Sequence, residues 1–190
     1  MEYFLIIISA VFVNNVVLAQ FLGICPFMGV SNKVTTAFGM SGAVTFVLTI
    51  ASIVTYLLMN YILKPLGIEF MQTITYILVI ASLVQMVEIV MKKIAPPLYQ
   101  ALGVFLPLIT TNCVIFGVTI IIIQNEYNLI QSVVYAVSAS IGFAIAMVLF
   151  AGLREHMEFA AIPKAMKGVP IALVTAGLLA MAFMGFAGIV

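Results

Sequence analysis

The chain contains two cysteines, and both lie in the same seven-residue pattern. This pattern of Cys, three residues, Gly, Val and a small hydroxyl residue occurs at residues 25–31 (CPFMGVS) and 113–119 (CVIFGVT). The copies are 113 − 25 = 88 positions apart in a chain of 190 residues. A thiolate is a soft ligand that suits zinc and iron–sulfur clusters. The duplicated motif therefore indicates that each half of the chain brings one thiolate to a shared site.

Other roles for the two cysteines stay open on the sequence alone. A single cysteine in a membrane helix commonly serves as a small apolar side chain, which is the packing interpretation. A disulfide is less attractive, because both cysteines lie in apolar stretches next to polar and helix-breaking residues. Zinc and iron–sulfur sites usually need four protein ligands. With two thiolates in this chain, a cluster must be completed by a second chain, most simply one that carries the same repeat.

The composition predicts an integral membrane protein. Hydrophobic residues make up 65% of the chain and charged residues 7%, whereas charged residues are about 25% of an ordinary soluble domain. The formal net charge of +1 gives no electrostatic basis for binding nucleic acid.

The charged residues divide the chain into six long uncharged stretches. A helix needs about 20 apolar residues to cross the hydrocarbon core of a bilayer, and we expect each stretch to provide one crossing. The stretches are Tyr3–Asn32, Val34–Leu63, Phe70–Val87, Ile94–Asn125, Tyr127–Leu153 and Gly168–Val190. The predicted fold is therefore an all-α integral membrane protein with six transmembrane helices.

The separation between the cysteine motifs also relates these spans to one another. An 88-residue offset maps the second span well onto the fifth, and the third span falls about ten residues short of the sixth. The sequence thus predicts two three-helix repeats, residues 1–95 and 96–190. An odd number of spans gives the repeats opposite orientations, and inverted repeats place their site near the membrane midplane.

The first and fourth spans are predicted to be broken helices, because each cysteine is surrounded by polar and helix-breaking residues. Pro removes a helix hydrogen bond and Gly weakens a helix. Unwound backbone at membrane depth is tolerated only where protein or a polar cavity satisfies it. The residues concerned are Asn14, Asn15, Gln20, Gly23, Pro26 and Gly29 in the first span, and Gly103, Pro107, Thr110, Thr111, Asn112 and Gly117 in the fourth.

Three further groups of residues have side chains that could form part of a site. An ionisable residue within a span, here Glu88, is a candidate for an ion path, but an ion pair with Lys92 four residues later is equally compatible. The segment Arg154–Glu158 (REHME) matches no metalloprotease spacing, and we interpret it as a solvated helix end. Thr111 and Asn112, beside Cys113, could donate hydrogen bonds to the sulfurs of a cluster and tune its potential.

Residues 21–31 (FLGICPFMGVS) and 105–113 (FLPLITTNC) resemble the A subunits of Rnf ion-translocating electron transport complexes. The pair at 14–15 (NN) and the segments 149–151 (LFA) and 182–186 (AFMGF) fit the same family, so the resemblance covers essentially the whole chain. A related family comprises the E subunits of the sodium-translocating NADH:quinone reductase. The residues of the first cysteine motif are more similar to the Rnf A subunits than to these E subunits.

This resemblance implies a [2Fe–2S] cluster in the middle of the membrane, with Cys25 and Cys113 as two ligands and two more from the paralogous E subunit. It also implies a complex, with further B, C, D and G subunits, that couples electron flow between ferredoxin and NAD to transport of Na⁺ or H⁺. The chain would then be a multi-pass protein of the inner (cytoplasmic) membrane, without catalytic residues of its own.

Two alternatives belong to other functional classes. Secondary transporters also use inverted repeats and broken helices, although a transporter has no need of a cysteine at both breaks. A purely structural membrane component without a redox centre is the third interpretation. Iron that copurifies with a paralogous partner would favour the electron-transfer role over both.

The distribution of basic residues predicts the orientation of the chain. Basic loops remain on the cytoplasmic side. Lys33, Lys92, Lys93, Arg154, Lys164 and Lys167 follow spans one, three and five, and Lys64 lies on the other side. Six spans with these loops in the cytoplasm place both termini outside.

We expect Lys93→Cys and Glu126→Cys to react with a membrane-impermeant maleimide from opposite sides of the membrane. In intact cells only the residue at 126 should be labelled, and the residue at 93 only after the membrane is opened. The wild-type chain, whose own thiols are predicted to lie near the midplane, is the background control. Labelling of both positions from one side would contradict the orientation.

Overall fold

The computed structural model describes residues 2–31, 33–67, 69–94, 100, 108–109, 111–159, 163 and 166–185. Every regular element within these ranges is a helix. The predicted all-α class is confirmed for this part of the chain.

The first predicted span is a broken helix, as expected from its sequence. Helix α1 (Glu2–Ile8) continues as a π-helical turn (Ser9–Val13), and helix α2 (Ile24–Gly29) follows. Between these helices the chain is irregular from Asn14 to Gly23. The break thus lies directly before the first cysteine, in the stretch that carries the polar residues.

The second and third predicted spans are long helices. Helix α3 (Val34–Leu58) extends through a π-helical turn (Met59–Leu63) and a last α-helical turn (Lys64–Leu66). Helix α4 (Gln72–Ile94) follows a short 3₁₀ turn (Glu69–Met71).

The second half of the chain contains three described helices, α5 (Cys113–Gln124), α6 (Leu129–Glu158) and α7 (Val169–Met184). The side chain of Asn112 caps α5 by accepting a hydrogen bond from the Val114 amide at 3.1 Å. The predicted breakers Gly103, Pro107 and Thr110 of the fourth span lie outside the described residues.

Three helical segments in the described ranges are long and apolar enough to cross a membrane, namely Val34–Leu66, Gln72–Val90 and Leu129–Glu158. These confirm the predicted second, third and fifth spans as helices. Shorter apolar helices occupy Tyr3–Val13, Cys113–Gln124 and Val169–Met184, within the other three stretches. The number of six crossings and the three-plus-three repeat stay predictions.

Helices α3 and α6 form the centre of the structure and share its most extensive helix contact. Their facing surfaces are rich in small residues, which allow helix backbones in a membrane to approach closely. Ala37 and Ala51 of α3 and Ala139 and Ala146 of α6 are fully buried. Helix α1 and its π-helical turn pack against α6, and α5 packs against both members of the pair. The short helix α2 contacts α6 through the ring of Phe27, which stacks on Phe150.

Asn15 stabilises the break in the first span. Its Nδ2 donates to the carbonyl of Val11 at 3.1 Å and to that of Gly142, in α6, at 2.9 Å. Its Oδ1 accepts from the amides of Val17 at 3.0 Å and Leu18 at 3.3 Å. The side chain is fully buried. One amide group thus bonds to two amides of the irregular stretch, to a carbonyl of the π-helical turn and to a carbonyl in the middle of α6, which ties the break to α6.

We expect Asn15→Ala to destabilise the protein strongly. The substitution leaves two buried amides without an acceptor, and each unsatisfied buried group costs roughly 1–3 kcal/mol. The loss should therefore be about 3 kcal/mol or more, measured as a lower midpoint of thermal unfolding in detergent.

Asn14→Ala is the matched control for this substitution. Asn14 is the neighbouring residue of the same type, but its side chain is exposed and its Nδ2 donates to the Ser9 hydroxyl at 3.1 Å. Its replacement should change the midpoint little. Equal losses from both variants would contradict the special role of Asn15.

Candidate functional site

The two cysteine segments meet through a hydrogen bond to sulfur. Cys113 is the first residue of α5, and its Sγ accepts a hydrogen bond from the amide of Gly23 at 2.9 Å. Gly23 is the N-cap residue of α2 and lies two positions before Cys25. The structure therefore brings Cys113 against the backbone that leads directly into the other cysteine motif, although the two are far apart in sequence.

The two thiols differ in accessibility. Cys25 is the second residue of α2 and its side chain is exposed, whereas that of Cys113 is half-buried. Both thiols are free, so they are not joined in a disulfide. One sulfur is held within the chain and the other is open to a neighbouring molecule.

Position 23, where the two segments cross, requires glycine. Gly23 has a φ of 81°, in the left-handed region that L side chains rarely adopt. A Cβ at this position would also collide with Cγ2 of Val114, in the first turn of α5. On the other segment, a Cβ at Gly117 would lie 2.5 Å from Cδ1 of Leu22. The segments fit together because each presents a glycine to a side chain of the other.

The side-chain oxygen of Asn112 has a hydrogen-bond partner, whereas its side-chain nitrogen has none among the described residues. Its Oδ1 accepts from the Val114 amide, but its Nδ2 has no hydrogen-bond partner among the described residues although Asn112 is only 3% exposed. A Cβ placed on Gly23 would lie 3.5 Å from this Oδ1, so the amide adjoins the residue that donates to Cys113. The described part of the chain thus contains a buried, unpartnered donor in the residue directly before Cys113, which fits a sulfur-rich group bound at the two cysteines.

The described residues contain no group of three or more His, Cys, Asp or Glu side chains placed to hold a metal ion. The sequence has only the two cysteines. Because iron–sulfur clusters of the common types need four protein ligands, a cluster held here needs two ligands from another chain. Cys25, whose side chain is exposed, is the thiol that such a chain could approach.

Arg154, near the end of α6, contacts the first cysteine segment in a way that the sequence did not predict. Its guanidinium donates to the carbonyl of Met28 at 2.8 Å and to the hydroxyl of Ser31 at 2.9 Å. Its Cζ lies 5.9 Å from the ring centroid of Phe150, and that ring stacks on Phe27 with a centroid separation of 4.1 Å. Arg154 therefore caps the C-terminal end of the short helix that carries Cys25.

The interpretation of Arg154–Glu158 as a solvated helix end was wrong for its first residue. Glu155, His156 and Glu158 are exposed, as expected. Arg154 is half-buried because α2 ends against α6 and leaves a carbonyl that needs a donor. No local sequence signal could have shown this contact, which joins residues 126 positions apart.

Glu88 and Thr111 are the remaining candidates. Glu88 is half-buried in α4, four residues before Lys92 on the same helix, so both interpretations of Glu88 remain predictions. Thr111 is exposed at the turn before α5.

Comparison with known proteins identifies relatives over the whole chain. The sequence matches the family described as "Rnf-Nqr subunit, membrane protein" over residues 3–190. It is 59% identical over 188 residues to the A subunit of the Na(+)-translocating ferredoxin:NAD(+) oxidoreductase complex of Acetobacterium woodii, covering 99% of this chain and 98% of that protein. It is 57% identical to the A subunit of the ion-translocating oxidoreductase complex of Syntrophotalea carbinolica, covering 98% and 96% of the two chains. The corresponding protein of Vibrio cholerae is 53% identical, with 100% and 98% covered.

We expect Gly23→Ala to destabilise the protein by about 2–5 kcal/mol, since a left-handed conformation costs roughly 1–2 kcal/mol for an L side chain and overpacking roughly 1–3 kcal/mol. The thermal unfolding midpoint in detergent should fall accordingly. Gly42→Ala in α3 is the matched control, because a Cβ there meets no atom within 4 Å. An unchanged midpoint for Gly23→Ala would contradict the close crossing of the two segments.

Proposed function

The chain belongs to the Rnf-Nqr family of membrane subunits, and we propose that it is the A subunit of an ion-translocating ferredoxin:NAD⁺ oxidoreductase complex. The support is the near-complete coverage of relatives that carry this name or the name of the ion-translocating oxidoreductase complex. The duplicated cysteine motif and the family membership both favour an electron-transfer component over a transporter that works alone.

We further propose that Cys25 and Cys113 supply two of the four thiolate ligands of a [2Fe–2S] cluster, and that a paralogous E subunit supplies the other two. The observation that carries this proposal is the hydrogen bond from the Gly23 amide to Cys113 Sγ, because it joins the two motifs at one place. When bound, such a cluster accepts and releases one electron at a time. The two cysteines would thus hold an electron relay near the membrane midplane.

The residues of this chain have three distinct tasks in the proposed mechanism. Cys25 and Cys113 would bind iron. The Gly23 amide donates to the Cys113 sulfur, and this bond would favour negative charge there and raise the reduction potential of a bound cluster. Arg154 holds the end of the Cys25 helix through Met28. The packed α3–α6 pair excludes water from behind the site, since its facing residues are buried.

In the assembled complex, we propose that electron flow between ferredoxin and NAD⁺ is coupled to transport of Na⁺ or H⁺, with the B, C, D and G subunits as further partners. The main alternative is an inverted-repeat secondary transporter without a redox centre. The observation that favours this alternative is the unwound stretch from Asn14 to Gly23 at the break in the first span, a feature that transporters use to bind substrates.

The test compares Cys25→Ser, Cys113→Ser and the double variant in the intact complex reconstituted in vesicles. A serine hydroxyl is a poor substitute for a thiolate on iron, and two ligands of one cluster act as a unit. We expect all three variants to lose the same [2Fe–2S] electron paramagnetic resonance signal and the same ion transport. The double variant should therefore lose no more signal or transport than either single variant.

A packing role for the cysteines gives the opposite pattern, with mild and additive losses of stability and an intact signal. Wild-type transport in either single variant would refute the shared cluster. The chain expressed alone is the control for assembly, and it should purify without iron because it has only two thiolates. A stoichiometric cluster in the isolated chain would contradict the need for a partner.

A further inference from the structure

We propose that the side chain of Asn112 is a hydrogen-bond donor to the cluster, in addition to being the cap of α5. Its Nδ2 group would donate to a sulfur of the bound [2Fe–2S] centre and raise the reduction potential of that centre. This inference rests on the proposed function, because it assigns a further residue to the same site.

The orientation of the Asn112 amide follows from its bond to the backbone. The Val114 amide is a donor and lies 3.1 Å from the nearest polar atom of the Asn112 side chain. The atom that accepts this hydrogen bond must therefore be the carbonyl oxygen Oδ1. The NH₂ group is then directed away from the helix end as a donor of up to two hydrogen bonds. If Oδ1 and Nδ2 of Asn112 were exchanged, the NH₂ group would face the Val114 N–H, and two donors cannot form a hydrogen bond. The exchanged orientation is therefore excluded.

The donor lies in surroundings that do not satisfy it. Asn112 is 3% exposed, and Nδ2 has no partner among the described residues. The neighbouring Gly23 is itself flanked by apolar atoms of Val114 and Phe143. Because a buried donor without an acceptor has lost its bonds to water and gained none in return, it destabilises the folded chain. The assembled site is therefore expected to provide an acceptor for it.

Asn15 provides an internal comparison for this argument. It is also a buried asparagine beside unwound backbone, and both ends of its amide are fully engaged, with two donated and two accepted bonds. The chain therefore satisfies an asparagine completely where the role is structural. Asn112 differs, because its NH₂ group has no hydrogen-bond partner among the described residues. It is also the residue directly before Cys113.

The expected acceptor is sulfur, because of what adjoins the amide. Asn112 directly precedes Cys113. Its Oδ1 lies 3.5 Å from the position of a Cβ built on Gly23, whose own amide donates to Cys113 Sγ. A cluster at Cys25 and Cys113 would bring thiolate and sulfide sulfurs, which carry negative charge, to this place. Hydrogen bonds to cluster sulfurs stabilise the reduced form, which carries one more negative charge, and so raise the potential.

The test uses the intact complex and variants that separate the cap from the donor. Asn112→Ser and Asn112→Thr keep an oxygen that caps a helix well but remove the NH₂ donor, whereas Asn112→Ala removes both. The readouts are the midpoint potential of the cluster from redox-poised electron paramagnetic resonance, the iron content and the thermal unfolding midpoint.

We expect Asn112→Ser and Asn112→Thr to retain iron and thermal stability while the cluster potential shifts to a lower value. Asn112→Ala should show a similar shift together with lower stability. Asn128→Ser, at the N-cap of α6, is the control and should leave the potential unchanged. If either Asn112→Ser or Asn112→Thr fails to assemble into the complex, the potential is measured in the other variant.

A wild-type potential in the Asn112→Ser and Asn112→Thr complexes would overturn this inference and leave Asn112 as a helix cap only. In that case the cluster signal, and with it the proposed function, would still stand. Absence of any [2Fe–2S] signal that depends on Cys25 and Cys113 would instead overturn both the proposed function and the inference.

Discussion

Backbone amides and carbonyls that leave a helix inside a membrane must find partners within the protein, because hydrocarbon offers none. The stretch from Asn14 to Gly23 meets this constraint partly through turn hydrogen bonds of its own backbone. One buried side chain, Asn15, adds bonds to two amides of the stretch and to the Gly142 carbonyl of α6. The break can exist because α6 passes directly behind it. The short helix α2, and the cysteine that it carries, take their position from this arrangement.

The same constraint explains why the cysteine segments are held by residues distant in sequence. A helix of six residues cannot satisfy its own ends. At its beginning, the Gly23 amide donates to Cys113 Sγ, and at its end the Met28 carbonyl accepts from Arg154. Both partners come from the second half of the chain. The free backbone groups that make a broken helix costly are thus the groups that join the two halves at the site.

The fold and the site differ in how far they could be predicted. Long apolar stretches bounded by charges predicted α3, α4 and α6 directly, since a membrane span depends on length and composition. Polar and helix-breaking residues around Cys25 predicted the break in the first span for an equally local reason. The contact of Arg154 with the Cys25 helix has no such local signal, because α2 and α6 meet only in the folded chain.

The sequence by itself determined the membrane class and the position of the break, because hydrophobicity and helix-breaking residues are properties of residue types and their spacing. It also singled out Cys25 and Cys113 as candidate ligands, because both lie in the same repeated motif. Only the tertiary structure decided which sulfur is held inside and which is exposed, and that Asn15 is fully satisfied while Asn112 is not. These differences between residues of the same type arise from neighbours far away in the chain, as the bonds from Asn15 to Gly142 and from Gly23 to Cys113 show.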